Sequence, residues 1–337
     1  MIISKASQLQ NTSYGKIEAP VKQYLVERDI LARKENIVSK VIPIIKTTKF
    51  AEGYSGQTSL QGFKPGKEAG GYPNGDFQDS YNKIVENGVE WKNSFSITLQ
   101  MIEDGHAYAW KDKARKFLDS YYDTKTRYVA EFLRAATGTT MTFEGMNFNI
   151  TGGDGKALFA EDHPSITGRA ANQSNLFNAD FSKDNLTKAE LVLSNQYEDN
   201  GMKLSITPDT ILVPYSVKQD ALQLQKIFEV LTADGDPTTA NRAGVYHTGR
   251  WNIIWWAFLG HPTGMTSGYS PFYLADMNYV MNNKPYVLQE RIPLTITSYV
   301  DEITDNNIWK GRSREVASPT NDFRGIMLCA KGLGSEL

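Results

Sequence analysis

The stretch from His106 to Thr137 contains neither glycine nor proline, and it restricts the fold more than any other feature of this chain. Its apolar residues recur at steps of three and four, the spacing of one face of an α-helix, until Gly138 follows. Roughly thirty residues at 1.5 Å each make a helix about 45 Å long. The sequence therefore predicts one long helix whose buried face carries Ala107, Trp110, Ala114, Phe117, Tyr121, Tyr128 and Phe132.

Composition narrows the class of protein. The chain has 337 residues, 40% hydrophobic and 22% charged, which suits one large packed domain or two ordinary ones. A net charge of −2 argues against a dedicated nucleic-acid binder, which carries a basic excess on one face. No signal-peptide core follows Met1 and no apolar run approaches the ~20 residues of a membrane helix, so we expect a cytosol-like, reducing compartment. Cys329 lies in an apolar run, and we expect it to be buried.

Residues 53–77 form a glycine-rich stretch, with seven glycines and two prolines in twenty-five residues. Such a composition cannot bury much surface, and a connector of this length is unusual inside a compact domain. Two interpretations stay open, a long hairpin that projects from the body and a disordered surface loop. Lys64 and Lys67 in this stretch are able to touch an acidic partner, although solvated charges are the simpler interpretation.

Shorter patterns predict the elements before and after the long helix. We expect a short amphipathic helix after Pro20 and an extended segment around Pro43. Thr187 and Glu190 have the spacing of a capping box, which predicts a helix that runs to Asn200. Period-two alternation predicts a half-buried strand that carries Phe95, Ile97, Leu99 and Met101.

The second half of the chain predicts further strands and one more helix. A short buried strand at 211–213 ends at Pro214. "RWNIIWWAF" is typical of a strand pair or of one buried strand, in which we expect Trp251, Trp255 and Trp256 to be core residues rather than ligand-stacking ones. "RIPLTITSYV" and the segment through Trp309 predict a hairpin with its turn at 305–307, and "DFRGIMLCAKG" predicts a closing buried strand. The intervening amphipathic helix is expected to carry Val217, Ala221, Leu224, Phe228 and Leu231.

The search for catalytic motifs leaves one candidate. The phosphate loop, the dinucleotide fingerprint, the zinc motif H-E-x-x-H and the nucleophile elbow G-x-S-x-G are all absent. "DGKALFAEDHP", residues 154–164, gathers Asp154, Lys156, Glu161, Asp162 and His163.

An enzymatic interpretation of this segment is a metal-dependent hydrolase. It would use His163 with Asp162 or Glu161 as ligands, or His163 with His261. Neighbouring side chains of an extended loop point apart, and the positions of the histidines, 106, 163, 247 and 261, match no known ligand spacing. We favour a structural connector, in which Gly155 permits an unusual backbone angle, Leu158 and Phe159 anchor the segment in the core, and Pro164 sets its exit.

Three segments resemble, in order, stretches of the tailed-bacteriophage major capsid protein family. "DGKALFAEDHP" is similar to the "DGKPLFSxxHP" stretch that follows the long helix in many of these proteins. "PDTILVPYSVKQDAL" is similar to "PDxLVVPxxLxxxA", and "NDFRGIMLCAKG" to the closing "DxRG" strand. The order of elements over the whole chain resembles the Hong Kong phage capsid fold, an α+β fold. The "LF…HP" signature also occurs in coat proteins similar to those of Mu-like phages.

This resemblance implies a division of the chain into four parts. The axial domain would point its loop near Asp234 and Asp236 to the centre of each capsomer. The implied parts are an N-terminal arm at 1–46, an extended loop at 47–93, a peripheral domain with the long spine helix at 94–208 and 286–319, and the axial domain at 209–285 and 320–337.

The resemblance also implies the function of a major capsid protein with no catalytic residue, cofactor or metal. The chain would self-assemble into pentamers and hexamers, in the cytoplasm of a bacterial host, and form the icosahedral head around double-stranded DNA, which it would contact non-specifically. An arm of about fifty residues is too short for a fused scaffolding segment, so scaffolding and portal proteins would be separate. No membrane is involved. A decoration protein and an encapsulin-type shell protein remain alternatives.

Overall fold

The computed structural model describes residues 2–5, 12–60, 62–66, 68, 70–72, 77–104, 107–224 and 249–337. Contacts divide the chain into two compact units: unit 1 comprises Met1–Glu52, Glu86–Val129 and Leu288–Ala317, and unit 2 comprises Gly53–Val85, Ala130–Val287 and Ser318–Leu337. The predictions for Lys67, His106, Phe228, Leu231, the loop near Asp234 and His247 lie outside the described residues. The four-part division stays a prediction.

The described part of the chain contains both helices and strands. Among its helices, none combines the length and the apolar character that crossing a membrane needs. The helices are α1 Thr12–Glu35, α2 Val38–Val41, α3 Leu99–Glu103, α4 Ala107–Ala135, α5 Lys183–Ser194, α6 Lys218–Leu224 and α7 Met277–Asn283. The strands are β1 Ile2–Lys5, β2 Ile44–Lys46, β3 Ala51–Gln57, β4 Asp79–Glu86, β5 Trp91–Ile97, β6 Thr140–Phe143, β7 Met146–Asn149, β8 Leu176–Asn178, β9 Thr210–Pro214, β10 Asn252–Trp256, β11 Phe272–Ala275, β12 Tyr286–Val300, β13 Asn307–Pro319, β14 Ile326–Cys329 and β15 Ser335–Glu336.

Unit 1 is built on a five-stranded sheet in the order β1-β12-β13-β5, with β2 also paired to β12. The predicted hairpin is confirmed, because β12 and β13 are hydrogen-bonded neighbours and Asp305 takes a positive φ of 51° in their turn. The predicted long helix is confirmed as α4, 29 residues long. Its apolar face packs with α1 and the sheet in a core that includes Val21, Leu25, Trp110, Ala114, Phe117, Leu118, Leu294, Ile296 and Trp309.

Unit 2 contains a six-stranded sheet in the order β10-β9-β11-β14-β8-β15. Strands β9, β11 and β14 are buried along their whole length, as continuous apolar runs predict for central strands. The sheet packs against α5 and α6 through a core that includes Leu186, Ala189, Leu193, Ile211, Val213, Ala221, Leu224, Phe272, Leu274, Met327 and Cys329. The glycine-rich stretch contains the end of β3 and leads to β4, and these two strands pair as a separate two-stranded sheet. The chain therefore forms a hairpin here, while its projection from the body stays a prediction.

Three predicted boundaries are wrong. The first helix is not short and does not follow Pro20: α1 begins at Thr12, with the proline inside it. Because a proline has no backbone N–H, one helical hydrogen bond is missing at Pro20, and the helix continues on both sides of it. The strand that was expected to reach Met101 ends at Ile97, because the Thr98 hydroxyl accepts a bond from the Met101 N–H and starts α3.

The third correction concerns the cap of α5. Ser182, not Thr187, is the N-cap, and its hydroxyl accepts a hydrogen bond from the Asn185 N–H at 3.2 Å. Thr187 lies inside the helix and donates to the Lys183 carbonyl four residues back. The helix ends at Ser194 rather than at Asn200. The sequence holds two hydroxyl candidates five residues apart, and only the packed structure selects between them.

Candidate functional site

His163 is the centre of the segment that the sequence singled out. Its ring is 1% exposed, and both ring nitrogens have protein partners. Nδ1 lies 2.5 Å from Asp154 Oδ2, and Nε2 lies 3.1 Å from Asn175 Oδ1. The ring stacks on Phe323 with centroids 3.8 Å apart and planes 5° apart. The histidine is therefore held on its two nitrogens and on one face.

Asn175, a buried residue that precedes β8, fixes the hydrogen-bonding direction of this cluster. Its Nδ2 donates to the carbonyls of Leu158 and Phe323, at 2.8 and 3.1 Å. Its Oδ1 also accepts the Ala160 N–H at 3.0 Å. Because the amide nitrogen is committed to carbonyls, the oxygen must face His163, so Nε2 carries a proton.

The opposite ring nitrogen faces a carboxylate that is ionised. Burial by itself raises the pKa of the Asp154 carboxyl, but the hydrogen bond and charge of His163 and the Lys156 N–H outweigh it and hold that pKa below its usual range. An ionised Asp154 accepts from Nδ1, while Asn175 accepts from Nε2. Both ring nitrogens of His163 therefore face acceptor oxygens inside the connector.

The closing motif meets this connector in space. Phe323, the ring stacked on His163, belongs to the "DFRG" segment that the sequence also singled out. The buried Arg324 donates to Asp199 and Asp322, each at 3.0 Å, and to the Tyr197 carbonyl at 2.7 Å. Gly325 follows with a φ of 79°, and a Cβ there would lie 2.3 Å from the Tyr279 ring. The two motifs therefore form one packed junction.

The base of the glycine-rich hairpin also packs on this junction. The Tyr81 hydroxyl in β4 donates to the Pro164 carbonyl at 3.2 Å, at the end of the connector. Ser59 donates to Glu198 through its hydroxyl at 2.6 Å and through its N–H at 3.2 Å. Asn200 returns a bond to the Ser59 carbonyl at 2.8 Å. These hydrogen bonds therefore fix the base of the hairpin to the junction.

The residues of the metal hypothesis are not brought together. Asp162 pairs with Lys156 at 2.8 Å, Glu161 is exposed, and His163 turns to Asp154 instead. His261 is exposed as well. Among residues 107–224 and 249–337 and the other described ranges, no group of three or more histidine, cysteine or acidic side chains is placed to hold a metal ion. Within the described residues, the contacts of His163 join the connector to the closing motif, and the absence of catalytic residues stays a prediction.

Other singled-out residues divide between core and surface. Cys329 is fully buried, as expected, and its burial raises the pKa of the thiol. Trp251 and Trp256 are core residues, but the expectation is wrong for Trp255, which is 41% exposed. Its face is covered by the Lys218 ammonium, 4.4 Å from the ring centroid. The edge position of β10 in its sheet explains this exposure.

A family model described as phage capsid protein matches residues 88–328. This range contains the long helix, the connector and most of the "DFRG" strand. The chain belongs to the phage capsid protein family. No relative among the curated proteins matches the chain.

Solved structures show that this family member has the fold that the resemblance implied. The capsid of Ralstonia phage GP4 matches at 12% identity with a TM-score of 0.52, covering 88% of this chain and 92% of that one. The procapsid of bacteriophage JBD30 matches at 15% identity and 0.52, covering 96% and 76%. The fold is the Hong Kong phage capsid fold, and the protein is a major capsid protein of the virion, with a structural role. Membership in the Mu-like subgroup stays a prediction.

No sequence motif predicted three buried polar residues that hold this capsid protein's junction together. Asn175, Asp199 and Gln196 stand in no motif, and each is buried beside the singled-out segments. Gln196 accepts the Gly325 N–H through its side-chain oxygen at 3.1 Å. A polar residue in a half-apolar segment carries no signal of burial by itself, so only the fold reveals these contacts.

Proposed function

We propose that this chain builds the phage head by self-assembly into pentamers and hexamers, in which the hairpin between β3 and β4 wraps a neighbouring copy. The observation that carries this proposal is the hairpin itself. Its side chains Phe63 and Tyr72 are fully exposed, while its base is bonded to the junction of unit 2. Exposed aromatic side chains on a projecting segment are costly in water and favourable in an interface.

The same proposal covers the partners of the shell. We infer separate scaffolding and portal proteins, assembly in the cytoplasm of the bacterial host, and non-specific contact with packaged double-stranded DNA. The near-neutral net charge of −2 supports the last point, because a strongly basic lining would hold the DNA tightly. The N-terminal arm, extended loop, peripheral domain and axial domain are proposed as the parts of this subunit.

Electron microscopy of the protein, alone and co-expressed with scaffolding protein, tests this proposal. We expect shells, tubes or capsomer rings from the native chain. Replacement of residues 61–76 by Asn-Gly should leave a folded subunit that assembles poorly, since the turn pair closes a short hairpin and the bonded base remains. Lys64→Ser, in the same part of the hairpin, is the matched control and should assemble normally. A monomer under every condition, or normal shells from the shortened variant, contradicts the proposal.

A further inference from the structure

The two faces of the unit 1 sheet differ in composition. Ile97, Leu294 and Trp309 belong to the buried core that packs on the long helix. Because successive side chains of a strand alternate between the faces, the residues next to them in sequence lie on the opposite face. This second face carries exposed and partly exposed residues of β5, β12 and β13, among them Lys92, Ser94, Arg291, Thr295, Tyr299, Ile308, Lys310, Arg312 and Arg314.

Cations are concentrated on this second face. The strand register places Lys92 of β5 directly opposite Arg312 of β13, and Ser94 opposite Lys310. Like charges that lie directly opposite each other on paired strands are destabilising. Arg314 follows on β13, so cations recur at every second residue along that strand. The fold therefore gathers positive charge here in spite of the repulsion, although the net charge of the whole chain is −2.

One carboxylate balances only part of this charge. The Glu90 carboxylate lies 2.8 Å from the Lys92 ammonium. It also lies 3.4 Å and 3.7 Å from the guanidinium groups of Arg312 and Arg314. Lys310 has no carboxylate partner among the residues that the structure describes. Four cations and one carboxylate leave three positive charges unbalanced, and we call these four cations the basic face.

Aromatic and apolar groups lie among the cations. The Lys310 ammonium lies 5.0 Å from the centroid of the Tyr299 ring, and the Arg291 guanidinium lies 5.7 Å from that of Phe50. The Phe50 side chain is 51% exposed, and Ile308 lies on the same face two residues before Lys310. A polypeptide covers such groups with its own side chains, whereas a phosphate backbone contacts only the cations. The composition therefore favours an acidic polypeptide over a nucleic acid as the partner.

The spacing of the cations fits an extended partner. Side chains at every second residue of a strand are about 6.8 Å apart, and the acidic residues of an extended segment that alternates in the same way have the same spacing. The row from Lys310 to Arg314 is about 14 Å long by this measure. A row of this length neutralises only a few phosphates, so the contact that it offers to DNA is weak and sensitive to salt.

We propose that the basic face of the unit 1 sheet binds an extended, acidic segment of a separate protein, whose carboxylates pair with the four cations. Phe50 and Tyr299 supply the aromatic surface against which the apolar side chains of that segment pack. The inference goes beyond the proposed function, because it concerns a partner other than the chain itself.

Binding of a labelled peptide to the full-length chain tests this inference. The probe is a short peptide that alternates glutamate with threonine, and the same peptide with glutamine in place of glutamate is its control. We expect fluorescence anisotropy to show saturable binding of the glutamate peptide and none of the control. Affinity should fall as salt is added, because the contact is between exposed charges.

Charge reversal provides the matched variants. Lys310→Glu with Arg312→Glu makes the face acidic, and we expect the affinity for the glutamate peptide to fall by about tenfold or more. Lys34→Glu with Lys40→Glu changes the net charge equally on α1 and α2, outside the sheet, and should bind as the native chain does. Lys310→Gln with Arg312→Gln removes repulsion without adding acids, so it should fold as the native chain and still lose affinity.

Three results overturn the inference. Equal affinities of the native and charge-reversed chains would place the peptide elsewhere. Tighter binding of a DNA duplex than of the peptide, lost in the charge-reversed chain, would assign the face to nucleic acid. Particles of the native chain that do not bind the peptide would show that neighbouring copies cover the face. Particle formation itself tests the proposed function and is independent of these results.

Discussion

The lysine buried in unit 1 and the histidine buried in unit 2 meet their carboxylates in different surroundings. Lys125 of α4 lies 2.6 Å from Glu315 and 3.5 Å from Glu290, so two carboxylates share one ammonium. His163 lies 2.5 Å from Asp154, and its other nitrogen meets the neutral amide of Asn175. The first cluster joins the long helix to the sheet, and the second closes a loop on itself.

The pKa values of the two carboxyls move in opposite directions. Complete burial, with Glu290 as a second negative charge, raises the pKa of Glu315 in spite of Lys125. Burial also opposes ionisation of Asp154, but His163 and the Lys156 N–H outweigh it and lower that pKa. Both carboxyls have a cationic or hydrogen-bonding partner, so depth of burial and the neighbouring like charge decide in which direction each pKa moves.

The largest effect should come from removing the shared ammonium. Lys125→Met leaves Glu315 buried without its cation, and we expect unit 1 to lose about 3–5 kcal/mol of unfolding free energy. Urea denaturation, followed by hydrogen exchange of β13, measures this loss. Lys125→Met with Glu315→Leu should recover most of it. The exposed ion pair of Lys92 with Glu90 offers a control, because Lys92 is 67% exposed. Lys92→Met should cost less than about 1 kcal/mol of unfolding free energy. Similar losses in both single variants would contradict the role of burial.

Removal of the His163 ring should have the next largest effect. His163→Ala removes one partner from the Asp154 carboxylate and one from the Asn175 oxygen, which keep only the Lys156 and Ala160 N–H groups. It also opens a gap beside Phe323, and we expect a loss of about 3 kcal/mol of unfolding free energy. Asp154→Asn added to His163→Ala should restore part of the stability, because it removes the uncompensated charge. Thermal unfolding of the set, with Lys156→Ala as the exposed control, measures the effect. A double variant no better than the single one would show that packing, not charge, holds the connector.

Two glycines with the same backbone angle sharpen the comparison within unit 2. Gly155 has a φ of 80° with open space at its Cβ position, whereas Gly325 has a φ of 79° with the Tyr279 ring 2.3 Å away. Gly155→Ala should cost about 1 kcal/mol for the strained backbone alone, and Gly325→Ala about 2–3 kcal/mol because overpacking adds to it. Chemical denaturation of both variants gives the difference. Equal costs would mean that the ring moves aside freely.

The smallest effect is the pH dependence, and it has opposite sign in the two clusters. The folded pKa of Asp154 is lowered, so its contribution is present above the usual value near 3.9 and is lost as the pH falls through the folded pKa. The folded pKa of Glu315 is raised, so its contribution is present below the usual value near 4.3 and is lost as the pH rises through the folded pKa. Each should change stability by about 1 kcal/mol per pH unit at most.

Unfolding of the Asp154→Asn and Glu315→Gln variants between about pH 3 and pH 8 measures the contribution of each carboxyl to stability. This pH range covers the usual pKa values of carboxyl groups. Relative to the native chain, Asp154→Asn should flatten the acid side of the profile and Glu315→Gln the side above it. If both substitutions flatten the same side, one of the two assignments is wrong.

Periodicity and short-range chemistry were sufficient for many of the elements, and the family was predicted from the resemblance of three segments and of the order of elements. The alternation and the three-four spacing predicted α4, the β12–β13 hairpin and the closing strand, because a repeat of apolar residues depends on local geometry alone. The same patterns placed the starts of α1 and α5 and the end of β5 wrongly. An end depends on which hydroxyl or proline the packed chain uses, as Ser182, Thr98 and Pro20 show.

Only the tertiary structure decided which contacts the residues of segment 154–164 make. The residue types of "DGKALFAEDHP" allowed a metal site in which Asp162 or Glu161 joins His163. The fold instead places His163 between Asp154, Phe323 of the closing motif and Asn175, which lies twelve residues further along the chain. Contacts between segments far apart in the chain leave no periodic pattern in the sequence. In the folded chain these buried polar groups pair with one another and hold the segment in place.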